Sequence, residues 1–426
     1  MDCVYIHQHI SFKFIKKYLD LGGNLRESLS SLPDYPFERL RDLLRNSDPI
    51  SYVGVNNSVV DMSIGAPKHG MPSFFKNILE ENFCDYGLYP PVKGTDSFIQ
   101  SVKEWVSSRF SIPFDTISEE TSITPLCGTK EGMFISAMSL TDDLKGGDNY
   151  FLIPNPFYQC YGAAAIMAGC IPFYMPTTKN TGFLPDFSDI SPDILNRTKV
   201  VFICSPSNPQ GSVASKEYWK NLLELSDKYG FYIFSDECYT DIYDKAPPPG
   251  VVEVVHETGR CFNKIVSFYS LSKRSSVPGL RSGFALSGHT SSRKIQKLKS
   301  YGGSVCPIPT MKASEALWKD ENHVKKNREI YHKKYEFCHH IFSEYEGYTP
   351  IKAGFFLWLQ VQECEQQSIN LWKKFGIKTL PGKYLYRDQS SDTYNEESNS
   401  FLRIALVEEL PIIKIALEKI ADELIA

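Results

Sequence analysis

Ser270-Leu271-Ser272-Lys273-Arg274-Ser275-Ser276-Val277-Pro278-Gly279-Leu280-Arg281-Ser282-Gly283-Phe284 decides how this chain is read. It follows an apolar run, 265–269, of the kind that forms a buried strand. A lysine stands just past the strand end among small hydroxyl residues, and an arginine follows eight residues later beyond a Pro-Gly turn. Hydroxyls and a guanidinium together hold a dianion such as phosphate, and an amine beside it can bond a carbonyl cofactor. A lysine after a strand is ordinarily a solvated surface residue. Here the nucleophile and the anion-binding groups occur together.

Further apolar runs precede this one. Residues 149–153 end in Pro154-Asn155-Pro156, 200–204 end in Ser205-Pro206-Ser207-Asn208-Pro209, and 231–235 end in Asp236-Glu237. Between the last two a helix is expected over 215–229, started by Ser215, with Tyr218, Leu222, Leu225 and Tyr229 on one side. Short, nearly continuous apolar strands separated by helices imply an α/β fold with a parallel sheet covered on both faces. Open α/β sheets bind ligands beyond the carboxyl ends of their strands. That edge is where Tyr158, Asn208, Asp236 and Lys273 fall, so they are expected to converge on one site.

From residue 310 the pattern changes. Residues 310–345 are charged and helical in pattern, strand-like runs follow at 355–359 and 401–407, and a helix from 410 closes the chain. This reads as a smaller α+β domain. Residues 388–400 are polar and read as a mobile loop.

With 426 residues the chain suits two domains. Its 46 basic residues against 50 acidic ones give a net charge of -4, and no basic excess points to nucleic acid or an anionic membrane. Eleven cysteines without a Cys-x-x-Cys pair argue for reduced thiols and a cytoplasmic setting. Cys338-His339-His340 lacks the further ligands a metal site needs, so no metal is expected. Residues 1–27 read as a short extension, with neither a signal-peptide core nor a cleavage site, and no apolar run is long enough to span a membrane.

The lysine segment closely resembles the lysine motif of the class I/II aminotransferases, which use pyridoxal phosphate (PLP). The resemblance runs from about Ser28 to the C-terminus. It implies fold type I, with a large domain at 67–309 built on a mainly parallel seven-stranded sheet. The small domain comprises 28–66 and 310–426. It also implies small-molecule substrates, an amino acid and a 2-oxo acid, and a homodimer.

By that resemblance Lys273 bonds the cofactor and moves the proton at the substrate α-carbon. Asp236 in Ser-Asp-Glu-Cys-Tyr pairs with the pyridine nitrogen; its alternative is a helix N-cap. Tyr239 and Asn208 donate to the phenolic oxygen, Asn208 having a plain Asn-Pro turn as its alternative. Gly128, Thr129 and Lys130 open a helix whose N–H groups suit a phosphate, joined by Ser270, Ser272 and Arg281. Tyr158 stacks on the cofactor ring or is an ordinary core tyrosine. Arg403, inside an apolar strand, clamps the substrate carboxylate or lies on an edge strand. Gly65 faces the substrate. Tyr89 crosses to the partner's phosphate or merely precedes a Pro-Pro turn.

Four segments look most like the succinyldiaminopimelate aminotransferase branch. They are Leu-Pro-Asp-Tyr-Pro-Phe-Glu-Arg-Leu-Arg, Ser-Ile-Gly-Ala-Pro-Lys-His, Tyr-Pro-Pro-Val-Lys-Gly and the lysine segment. Enzymes of that branch exchange an amine between glutamate and a succinylated aminooxopimelate on the way to diaminopimelate and lysine. A long substrate with a distal carboxylate asks for another cation, for which Lys68 and Lys93 are candidates. Ser276 departs from the branch, where asparagine is commoner. The alternatives are an aminotransferase for aspartate, alanine or aromatic amino acids, a carbon–sulfur β-lyase, and a PLP-binding regulator. The intact Lys273, Asp236 and Arg403 argue against the last.

Overall fold

The computed structural model describes residues 34–141, 147–387 and 398–425, with Leu32 and Leu144. The expectations for residues 1–27 and for most of the 388–400 loop lie outside the described residues. Twelve strands occur among them: β1 (Val60–Asp61), β2 (Thr121–Leu126), β3 (Tyr150–Asn155), β4 (Ile171–Pro176), β5 (Thr198–Cys204), β6 (Tyr232–Asp236), β7 (Ile265–Ser270), β8 (Gly283–Gly288), β9 (Phe356–Gln360), β10 (Ile377–Lys378), β11 (Leu380–Pro381) and β12 (Phe401–Ala405). Seven of them form the central sheet in the order β2-β8-β7-β6-β5-β3-β4. Strand β8 runs antiparallel to β2 and β7, and every other pairing is parallel.

The continuous apolar runs are explained by two cores, one on each face of this sheet. Along β5, Val201 and Ile203 face one core with Trp219, Leu222 and Val251, while Val200 and Phe202 face the other with Met133, Tyr161 and Ile295. Neither face reaches water, so neither needs polar residues. Full burial of one such side chain contributes about 1.5–3 kcal/mol.

The helix expected over 215–229 forms as Lys216–Tyr229. Ser215 Oγ accepts the Tyr218 N–H at 3.0 Å, and Gly230 ends the helix at φ +83°. Its buried stripe is Trp219, Leu222, Leu223 and Ser226. This differs from the expected side of Tyr218, Leu222, Leu225 and Tyr229. Tyr218, Leu225 and Tyr229 are only partly buried against the same core.

The charged helical stretch after 310 is two helices, Ile308–Lys319 and Asn322–Phe342. They part at Asp320, whose carboxylate accepts the His323 N–H at 2.9 Å. Met311, Leu317 and Trp318 join the core on the central sheet. Through them the first helix packs against that core. The second helix contributes Tyr331, Tyr335 and Phe342 to a separate core with Phe356, Leu402, Ile413 and Leu417. There β9, β12 and β11 form an antiparallel sheet with β12 in the middle, and β1 pairs with β10. Cys338 is buried while His339 and His340 are exposed, so the three do not converge. Among the described residues no helix is long and apolar enough to cross a membrane.

Candidate active site

Strand β7 ends at Ser270, and a single helical turn, Leu271–Arg274, follows. Ser270 Oγ accepts the Ser272 N–H at 3.1 Å and fixes that turn. Lys273 thereby enters a cleft of about 250 Å³ between the sheet edge and the C-terminal core. Its Nζ donates to the Gly65 carbonyl and lies 5.3 Å from the centre of the Phe355 ring. Burial pushes the Lys273 ammonium down to about 8, with Arg403 and Arg281 adding to the effect and Cys238 and Asp236 opposing it. Such an amine gives up its proton far more readily than an ordinary lysine, which suits a base.

The helix Thr129–Leu140 starts at Gly128, and no side chain caps its first turn. Its leading N–H groups need an acceptor, and an anion supplies one. Arg281 closes the other side from a left-handed backbone position, φ +54°, with Nη1 donating to Pro278 O at 3.0 Å. A Cβ on residue 128 would stand 2.0 Å from Arg281 Nη2, and Gly128 sits at φ +91°. Only glycine lets this guanidinium approach. Thr129, Lys130, Ser270 and Ser272 line the same cleft.

Asp236 closes β6. Its Oδ2 accepts the Tyr161 hydroxyl at 2.6 Å, and its Oδ1 accepts the Cys238 N–H at 3.3 Å. The next helix begins at Val251, so Asp236 has no helix to cap. Tyr158 lines the cleft and meets Tyr161 edge to face at 5.8 Å. Tyr239 lines it too, held by Phe355 at 5.3 Å between ring centres, and burial raises its hydroxyl well above the usual range.

Arg403 sits on β12, the middle strand of its sheet, opposite Trp358 and Leu380. The edge-strand alternative is thereby removed. Nη1 donates to Asn208 Oδ1 at 3.0 Å and Nη2 to Ser63 O at 2.7 Å, while the buried Nε has no partner. The guanidinium rests 4.5 Å over the Phe356 ring. Burial pushes it down to about 10, so it is still charged at neutral pH. A carboxylate arriving beside it restores what burial removes. Gly65 is needed here as well, because a Cβ would meet Phe356 Cζ at 2.6 Å.

Tyr89 is fully exposed and is absent from the cleft of its own chain. Neither cation suggested for a distal carboxylate reaches the cleft. Lys68 pairs with Glu408, and Lys93 lines a separate groove with His289 and Arg293. Sequence reasoning missed Tyr161, Phe356 and Tyr35. Tyr161 stands three residues after Tyr158 in the same segment, joined to it by the turn that opens the helix Cys160–Met167. Tyr35 belongs to a quoted segment that carries no assigned role.

These residues fit PLP. The bare helix start with Arg281 suits its phosphate, Asp236 its pyridine nitrogen, Asn208 and Tyr239 its phenolic oxygen, and Lys273 its aldehyde.

A family model described as aminotransferase class I and II matches residues 57–417. A curated relative, the LL-diaminopimelate aminotransferase of Desulforudis audaxviator, is 27% identical over 402 residues, covering 92% of this chain and 96% of that protein. Among solved structures, an aminotransferase from Neisseria meningitidis superposes with a TM-score of 0.85 at 34% identity, covering 93% of this chain and 98% of that one. The aminotransferase AspB of Helicobacter pylori does so with 0.81 at 31%, covering 92% and 98%.

Proposed function

The chain belongs to the class I and II aminotransferases, PLP-dependent enzymes of fold type I, and from that premise we propose that it transfers the α-amino group of a long, diaminopimelate-type amino acid. The observation that carries the reading is the position of Lys273 and Arg403 on one stretch of backbone. The lysine bonds Gly65 O, and the arginine bonds Ser63 O. A substrate whose carboxylate is held by Arg403 then presents its α-carbon to the lysine amine.

PLP supplies, when bound, a ring that takes up the electron pair left at that carbon. The chain does the rest. Arg403 and Asn208 orient the carboxylate. Lys273 accepts the α-proton and returns it one atom further along. Asp236, steadied by Tyr161, holds the ring nitrogen protonated. Tyr158 covers the ring face and excludes water. Amino donor and acceptor use the same site in turn, so ping-pong kinetics are expected.

Tyr35, Phe37, Gln159, Leu385 and Lys130 also line the cleft. They give a mostly apolar wall suited to a methylene chain, with polar groups for its far end. The resemblance of four segments supports N-succinyl-LL-2,6-diaminopimelate with 2-oxoglutarate as the substrate pair, on the route to lysine. The name of the curated relative supports a second reading, unsuccinylated LL-diaminopimelate. Supplying each amino acid with 2-oxoglutarate and measuring glutamate separates the two. Glutamate from neither, but from aspartate or alanine, removes both.

The active unit is a homodimer in this proposal. Phe83, Tyr86, Leu88 and Tyr89 form an exposed apolar run, and exposed apolar patches often mark a protein interface. It supports Tyr89 reaching the partner's phosphate site.

A further inference from the structure

A second set of polar residues lies behind the lysine, outside the cleft. Lys334 is fully buried on the helix Asn322–Phe342. Its Nζ faces three acceptors, Leu406 O at 2.8 Å, Glu408 O, and His69 Nε2 at 2.7 Å. Burial pushes its ammonium down to about 7, and donating to all three requires the protonated form. Because Nε2 accepts, the ring proton is on Nδ1 and is donated to Asn327 Oδ1 at 2.7 Å. Because Oδ1 accepts, the Asn327 amide directs its N–H groups to Arg274 O at 3.2 Å and Lys273 O at 3.4 Å. Each orientation follows from the one before it, so the chain is polarised from Lys334 to the lysine backbone. Burial and the neighbouring ammonium hold His69 down to about 4, so the ring is neutral.

The end points give the chain its meaning. A helix of four residues cannot satisfy its own last carbonyls. Asn327 does so for the turn that carries Lys273. At the other end, Leu406 and Glu408 lie just past β12, the strand that carries Arg403. Between them, His69 closes the segment whose Ser63 and Gly65 carbonyls hold Arg403 and Lys273. Lys68 N–H joins that segment to Val407 O at 3.1 Å.

We propose that Lys334, His69 and Asn327 are positioning residues for the transfer, a relay that fixes the Lys273 main chain against the Arg403 strand and so sets the lysine amine against the α-proton. The inference rests on the aminotransferase reading. It assigns the relay to the proton-transfer step and not to substrate binding, because the relay holds the lysine turn and leaves the Arg403 bonds to Asn208 and Ser63 in place.

The test uses the full-length holoenzyme and two substitutions, Asn327→Leu and Asn327→Asp. Aspartate keeps the acceptor for His69 but donates nothing to the two carbonyls. Both variants are expected to lower kcat for glutamate about tenfold to a hundredfold, the scale of a misplacement of about 1 Å. KM should change less than about twofold, and the kinetic isotope effect with α-deuterated glutamate should rise. In the apoenzyme, labelling of Lys273 by an amine-reactive reagent should change in rate. A lower melting temperature with unchanged kcat, isotope effect and labelling overturns the relay and leaves the aminotransferase reading intact. Absence of any transfer by the wild-type protein overturns that reading instead. Should the variants not fold, nitrogen NMR of His69 in the unaltered protein still decides, since a ring proton on Nε2 contradicts the chain.

Discussion

The Tyr161 hydroxyl donates to Asp236 Oδ2 at 2.6 Å, from a ring stacked on Phe202 at 4.4 Å between centres. The Asp236 carboxylate, which we propose holds the pyridine nitrogen, is therefore fixed by a hydroxyl that itself borders the cleft. In Tyr161→Phe the stack persists while Asp236 loses its shortest hydrogen bond. The variant is expected to keep PLP but to lose about tenfold in kcat, equivalent to about 1.4 kcal/mol. Steady-state kinetics with glutamate check this.

The alanine variant at Gly128 puts a methyl group 2.0 Å from Arg281 Nη2 at a backbone φ of +91°. The guanidinium must retreat from the helix start. PLP affinity should fall about tenfold or more, or about 1.4 kcal/mol, as measured by cofactor titration of the apoenzyme. An unchanged affinity would place the phosphate elsewhere.

Lys273 is held down to about 8 by burial. Labelling of this residue in the apoenzyme by an amine-reactive reagent should follow a titration near that value, well below the ordinary lysine value of 10.5. Peptide mass spectrometry against pH gives the curve.

Glu237 is buried, and burial pushes its carboxyl up to about 7 from 4.5. The folded state thus holds a proton that the unfolded state has released between those values. Its contribution to stability is whole below about 4.5 and is lost as pH rises through about 7, up to about 3 kcal/mol. Glu237→Gln should remove that loss. Denaturant unfolding of the apoenzyme should find the variant gaining on the wild type between pH 4.5 and about pH 8.

The parallel sheet was legible because burial on both faces leaves nearly unbroken apolar runs, such as 200–204. Tyr158, Asn208, Asp236 and Lys273 were legible because strand ends deliver them to one edge. The apolar residues of the helix 308–319 announce burial without saying against which core. Arg403 was found as a charge in an apolar strand, but only sheet order shows that the strand is central. The pairing of His69 with Asn327 was not legible, because it spans 258 positions and is made by tertiary packing alone. Ser276, the departure from the branch, occupies φ +55°. Asparagine tolerates that conformation better than serine.

The central claim is transfer of an amino group through Lys273. Glutamate should be mixed with the purified holoenzyme in the absence of any acceptor, and the 2-oxoglutarate released should be counted per active site. About one equivalent is predicted from a single half-reaction, and Lys273→Ala should release almost none. Continuous release without acceptor, no release at all, or full release from Lys273→Ala would contradict the account.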